Sequence, residues 1–271
     1  MTATQSGGIV LAGGGKMGSA LLTGWLESGV NPSNIYVVEP EASAAMSLAS
    51  LGVTVVAATT ELPGAAETVV FAVKPQIMHD VVPDYKRLAS AETVFLSIAA
   101  GCTIALFETH LGAVPVVRAM PNTPAAIGLG MTVACANAQT SNGQKARCQN
   151  LLKAVGEVAW VSEESLMDPV TAVSGSGPAY VFLLIETLAA AGVEAGLSAD
   201  LAMRLARATV RGAGELASRS EDAPGQLRVN VTSPGGTTAA ALDVLMAGDG
   251  LDRLMKRAVL AATARSKALA G

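Results

Sequence analysis

Short runs rich in valine, isoleucine and leucine recur through the first 161 residues and then cease, and this change of pattern limits the fold before any motif is considered. Runs at 9–12, 35–38, 53–56, 68–73, 94–98 and 115–118 predict strands. Several are continuously apolar, as expected of strands covered on both faces. Helical stretches such as 17–28 and 42–51 lie between them, which is the pattern of a parallel, doubly wound sheet. Two further runs, 131–134 and 158–161, extend it. From 163 onward the pattern is helical, with segments at 166–173, 178–191, 199–218, 237–246 and 250–269. They are separated at "SGSGP", "AGLS", "SEDAPGQ" and "AGDG", where glycine, proline and capping residues cluster. The expected organisation is an α/β domain at 1–162 and an all-α domain at 163–271.

Aromatic residues make up only 3% of the chain, so its apolar content is mainly Ala, Val, Leu and Met, suited to helices that approach closely. The alanine-rich faces of the second half are expected to meet a second subunit; packing into that domain's own core is the alternative. The two halves carry 8 basic and 10 acidic residues, and 10 and 12, so neither has the positive field that a nucleic-acid partner requires. Cys102, Cys135 and Cys148 form no C-x-x-C pair, and with two histidines they suit a reducing compartment such as the cytoplasm and argue against a metal site. "MTATQSGG" reads as an irregular lead-in to a strand rather than a signal peptide. The apolar segment "AYVFLLIETLAAAGV" is interrupted by Glu186, which favours a buried helix over a membrane span.

"IVLAGGGKMGSALL" sets Gly13, Gly15 and Gly18 in G-x-G-x-x-G spacing directly after the first strand. Such glycines allow a tight turn, close backbone approach to a pyrophosphate, and close helix packing. Lys16 and Met17 open the helix whose free N–H groups face the phosphates. The spacing predicts a Rossmann-type dinucleotide site; a plain glycine-rich turn is the alternative. Glu39, after the second strand, can accept hydrogen bonds from a ribose 2′-hydroxyl and would repel a 2′-phosphate, which favours NADH over NADPH. Its other reading is a solvated glutamate at a strand end. Ala72, Val73, Lys74 and Pro75 after the fourth strand, and Ala99, Ala100 and Gly101 after the fifth, should line the cofactor cleft. Lys74 has two readings, a phosphate or catalytic group, or a solvent-facing side chain beside a proline that shapes the backbone.

The stretch "NVTSPGGTTAAALDVL", 230–245, joins small hydroxyl residues and glycines to a helix and offers no ordinary acid or base between Asn230 and Ala241. Ser233 reads as the capping residue and Pro234 as the first helical position. A helix start with uncommitted N–H groups suits a small carboxylate.

These blocks, together with "AVSGSGPAYVFLLIETLAAAGVEAGL", "AVKPQ", "SIAAG" and "MPNTP", resemble the pyrroline-5-carboxylate reductase family, in the family's order and over most of the chain. The resemblance implies reduction of L-1-pyrroline-5-carboxylate, a small cyclic imino acid, to L-proline with NADPH or NADH, the last step of proline synthesis. It also implies a homodimer interlaced through the helical domain, which in some members assembles into a decamer, with neither nucleic acid nor membrane as partner. Carried over by position, Ser233, Gly236, Thr237 and Thr238 look like the site for the carboxylate and ring nitrogen, with Asn230 and Val231 beside the nicotinamide. Met120, Pro121 and Glu221 border the same pocket, Glu221 from the neighbouring subunit. Glu39 departs from a pattern in which many members carry a small hydroxyl residue and use NADPH.

An imine nitrogen is basic enough to be protonated in part by water near neutral pH, so the missing side-chain acid is no obstacle. Thr238, as the catalytic candidate, donates a hydrogen bond to the neutral imine or relays a proton. An alcohol dehydrogenase of the same two-domain plan would need a proton acceptor, commonly a lysine of the helical domain, yet 163–252 contains no lysine. An imine reductase for another ring size, and a non-catalytic nucleotide-binding protein, are the remaining rivals.

Overall fold

A computed structural model describes residues 8–269, so the lead-in read at residues 1–7 lies outside the described residues. Eight strands form one sheet: β1 Ile9–Ala12, β2 Ile35–Val38, β3 Thr54–Val56, β4 Thr68–Phe71, β5 Val94–Ser97, β6 Val116–Met120, β7 Gly130–Ala136 and β8 Gly156–Trp160. Their order across the sheet is 3-2-1-4-5-6-7-8. Residues one apart along a strand face opposite ways. Val10, Val69, Phe71 and Phe95 accordingly join one buried cluster, while Leu11, Val70 and Leu96 join the other. Both faces are covered, which is why these strands lack polar alternation.

All neighbouring strands are parallel except β6 and β7, which run antiparallel with Val117 opposite Ala136 and Met120 opposite Val133. This departs from a wholly parallel sheet for a simple reason. Only residues 121–129 separate the two strands, fewer than the dozen or so that a parallel crossover needs.

The helices are α1 Lys16–Glu27, α2 Ala42–Ala49, α3 Met78–Val81, α4 Ile104–Leu111, α5 Asn142–Lys153, α6 Met167–Val170, α7 Gly177–Glu194, α8 Ala199–Arg219, α9 Pro224–Asn230, α10 Thr237–Leu245 and α11 Leu251–Leu269. Trp25 of α1 is wholly buried and donates its indole N–H to the Leu151 carbonyl of α5 at 2.8 Å, which ties two helices on one face of the sheet. The single helix expected at 166–173 is a short 3-10 turn Glu164–Leu166, then α6, then a π-turn Thr171–Gly175. Helix α9 forms where "SEDAPGQ" read only as a break; Pro224 at its first position supplies the start.

The described chain divides into two compact units, residues 8–175 with 262–269, and Ser176–Ala261. In the second, α7 packs on α8 through Ala189, Ala202 and Ala206, small residues that bring the backbones close. The chain does not bury α7 as expected: Phe182 and Leu183 are 57% and 58% exposed, because one neighbour covers one side of a helix that is apolar on several.

Candidate active site

The residues expected to hold a nucleotide follow the carboxyl ends of β2, β1, β4 and β5, which lie side by side. Chain direction across the sheet reverses between β1 and β4, where open α/β sheets take their ligands. Gly13 leaves β1 with φ +93°, a conformation that side chains other than glycine rarely adopt, and its N–H donates to the Val38 carbonyl at 3.0 Å. A side chain at Gly18 would collide with the Gly13 carbonyl, so helix and strand could no longer pack closely. Gly15 is the opposite case: nothing lies within 4 Å of where its Cβ would stand, leaving backbone open to a ligand. It is also the N-cap of α1, with no side chain closing the first turn and no acidic residue in it. Lys16 and Gly15 are exposed and Met17 is half-buried. This arrangement fits a dinucleotide pyrophosphate.

Glu39 is placed beside the same turn. Its Oε2 accepts the Gly14 N–H at 2.8 Å and its Oε1 accepts the Glu41 N–H at 3.1 Å. Gly14 occupies a free position of the glycine pattern, where the spacing alone asks for no particular residue. A side chain there would collide with Leu48 of α2 and crowd the Glu39 carboxylate, a constraint readable only from the fold. Ala72 extends the β1–β4 pairing through an N–H bond to the Ala12 carbonyl at 2.8 Å, followed by half-buried Val73 and exposed Lys74. Pro75 begins a 3-10 turn. Ala99 is buried, Ala100 and Gly101 are half-buried, and Gly101, φ +74°, packs against Leu269. Cys102 is buried, and desolvation pushes its thiol up despite the Arg118 guanidinium, which disfavours a nucleophilic role.

The polar turn belongs to the helical unit. The structure corrects the capping scheme: α10 begins at Thr237 with Gly236 as N-cap, and Ser233 does not cap it. Ser233 instead accepts the Gly236 N–H on its carbonyl at 3.0 Å, across a turn with Pro234 second and Gly235 third at φ +68°. That is the geometry of a type II turn, and it takes the place of a side-chain cap. The Ser233 side chain is exposed and Thr238 is half-buried. The first N–H groups of α10, at Thr237 and Thr238, have no carbonyl one turn earlier within the helix. Asn230 ends α9, with its Oδ1 taking Gln226 Nε2 at 2.8 Å and its Nδ2 donating to Asp222 at 3.3 Å. These bonds set Asn230 beside the loop that carries exposed Glu221; Val231 is exposed as well. Met120 stands on the sheet unit, as the last residue of β6.

His79 and His110 lie 3.3 Å apart, nitrogen to nitrogen, on α3 and α4. Asp168 accepts the Ser266 hydroxyl at 2.7 Å, a packing role.

Residues 164–269 match the family model for pyrroline-5-carboxylate reductase dimerisation, and residues 8–101 match that for NADP oxidoreductase, coenzyme F420-dependent. A pyrroline-5-carboxylate reductase of Pseudomonas aeruginosa is 41% identical over 264 residues, 97% of this chain and 96% of that one. The solved structure of a Coxiella burnetii pyrroline-5-carboxylate reductase superposes with TM-score 0.93 at 36% identity, covering 98% of this chain and 99% of that one. The Plasmodium falciparum pyrroline carboxylate reductase, crystallised with NADP bound, gives TM-score 0.83 at 32% identity over 97% and 98% of the two chains. With glycine turn, polar turn and whole-length likeness agreeing, the chain belongs to the pyrroline-5-carboxylate reductase family.

Proposed function

We propose that this chain reduces L-1-pyrroline-5-carboxylate to L-proline, the last step of proline synthesis, with NADPH or NADH as cofactor. The observation that carries the reading is the stretch 230–245, in which an uncharged type II turn opens onto the free N-terminus of a helix of nine residues. The substrate carboxylate is held by the N–H groups of Thr237 and Thr238 and by the Ser233 hydroxyl, with Gly236, whose own N–H closes the turn, offering no side chain in the way. The Thr238 hydroxyl donates a hydrogen bond to the imine nitrogen, or passes it a proton, so that positive charge at nitrogen draws hydride to the adjacent carbon. Asn230 and Val231 stand beside the nicotinamide, and Met120, Pro121 and Glu221 border the pocket, Glu221 from the partner subunit. Gly13, Gly15, Lys16, Met17 and Gly18, with Glu39, Ala72, Val73, Lys74, Pro75, Ala99, Ala100 and Gly101, hold the cofactor. When bound, NAD(P)H supplies the hydride. The chain's own contribution is chiefly orientation of the ring carbon.

In this reading 1–162 is the nucleotide domain and 163–271 the helical domain, the dimerisation model beginning at residue 164. The chain forms a homodimer through the helical domain, and a decamer is the larger assembly the family resemblance implies. Residues 164–194 are long and apolar enough to cross a membrane, and only 6% of an apolar 18-residue window within them is buried in the single chain; a subunit interface is the reading supported by the dimerisation match. Three free, buried thiols support a cytoplasmic location. Purified protein mixed with pyrroline-5-carboxylate and either reduced cofactor should consume the cofactor and form proline. Lack of turnover with both cofactors overturns the reading.

A further inference from the structure

Arg118 and Met120 stand two residues apart on β6, so both side chains leave the same face of the strand. Residues 164–175 are fastened along that face at both ends. At one end Glu164 Oε1 takes the buried Arg118 guanidinium at 2.9 Å and the Ile104 N–H, at the start of α4, at 2.8 Å. At the other, a Cβ on Gly175 would stand 2.5 Å from the terminal methyl of Met120, so the side chain missing at 175 is the space Met120 occupies. Between them Asn122, just past the strand, accepts the Met131 N–H on Oδ1 at 2.9 Å and donates Nδ2 to the Ser174 hydroxyl at 3.3 Å. One amide thereby joins the loop after β6, the start of β7 and the turn Thr171–Gly175.

That turn is a π-turn, a form rare in proteins and concentrated at functional sites. It accommodates one residue more than an α-turn, which rotates whatever follows by about 100° about the axis. Ser174 and Gly175 are thereby aimed at Asn122 and Met120.

We propose that the π-turn Thr171–Gly175 is a positioning device for the substrate-bordering end of β6, in which Ser174 holds Asn122 by a hydrogen bond and Gly175 seats Met120. The proposal rests on the reading that Met120 borders the imine pocket. Asn122, Ser174 and Gly175 are positioning residues that act through Met120, and the effect belongs to the imine and not to the nucleotide.

Steady-state kinetics separate the two. In Ser174→Ala the KM for pyrroline-5-carboxylate should rise about fivefold, the size expected for one lost neutral hydrogen bond. The Kd for NAD(P)H, read by its fluorescence, should stay within about twofold. Gly175→Ala should raise the same KM by displacing the Met120 methyl. Asn122→Ala should match Ser174→Ala, and the double variant should be no worse than the more affected single one, because the two side chains act as a unit. Ser174→Thr, which keeps the hydroxyl, should restore the KM. Asn122→Ala also frees the Met131 N–H, so Ser174→Ala, which loses only one oxygen, is the deciding variant. An unchanged imine KM in Ser174→Ala, or equal changes for imine and nucleotide, overturns the proposal and leaves the assigned reaction standing. Absence of turnover in the unaltered protein overturns both.

Discussion

Glu39 has a double task in the proposed site, since the carboxylate assigned to the ribose also holds the Gly14 N–H at 2.8 Å. Removing its charge and removing its acceptor are therefore different experiments. Glu39→Gln keeps an oxygen for Gly14 but no longer repels a 2′-phosphate, so kcat/KM with NADPH should rise about tenfold relative to that with NADH. Glu39→Ala should weaken both cofactors by loosening the turn. An unchanged ratio in the glutamine variant would discard the electrostatic argument. Thr238→Ala should lower kcat/KM by roughly 10-fold to 100-fold, the lower part of the range for acid–base groups, with NAD(P)H affinity intact. Wild-type kinetics in that variant would remove Thr238 from the chemistry. At this scale the sequence was legible where a residue's task is set by its neighbours in the chain, as with Gly13, φ +93°. It was silent on Gly14, whose need for a bare backbone comes from Leu48, and on Ser174, whose partner lies 52 positions earlier.

Among the elements, β1 and β2 fall at the residues expected, because an uninterrupted apolar run ended by glycine or a helix signal leaves little choice. Strand direction was not legible for β7, since a strand buried on both faces carries no mark of which way it runs; the short connection decides it. The capping of α10 was misread because Ser233 has the right chemistry one turn too early, and Gly235 folds the chain before the helix begins. Helix α5 offers a test of its own. Cys148 is fully buried there, and its thiol is pushed from 9.0 up to about 12 by desolvation, Arg147 pulling weakly the other way. The unfolded chain ionises this thiol near its ordinary value, whereas the folded chain keeps the proton. The stabilisation is therefore complete below about pH 9 and is lost as pH rises toward 12, at about 1.4 kcal/mol per pH unit. The urea midpoint should fall between pH 8.5 and pH 10.5, measured by circular dichroism. In Cys148→Ala the fall should be shallower, although the starting midpoint is lower; an equal slope would mean the thiol is not the titrating group.

For the whole molecule, the unit Ser176–Ala261 has only a small core of its own, centred on Ala189, Ala202 and Ala206. Phe182, Leu183, Leu184 and Leu188 of α7 all remain in contact with water in the single chain. A contiguous apolar surface of this kind marks an association site. Four successive apolar residues, 181–184, point around most of the helix, so the sequence showed that α7 must be covered without showing by which neighbour. Sedimentation of the purified chain should give a dimer or a multiple of one. Phe182→Glu should shift it toward monomer and reduce turnover, since the proposed site draws Glu221 from the partner. A fully active monomer would contradict that sharing.

The contacts of Leu269 with Gly101 and of Ser266 with Asp168 return the end of α11 to the sheet unit. A ribosome delivers residues 9–175 long before residues 262–269 leave its tunnel. The domain that is synthesised first is therefore completed last, and every nascent chain must leave the backbone at Gly101 and the carboxylate of Asp168 without these partners until the helices of the other unit have been made.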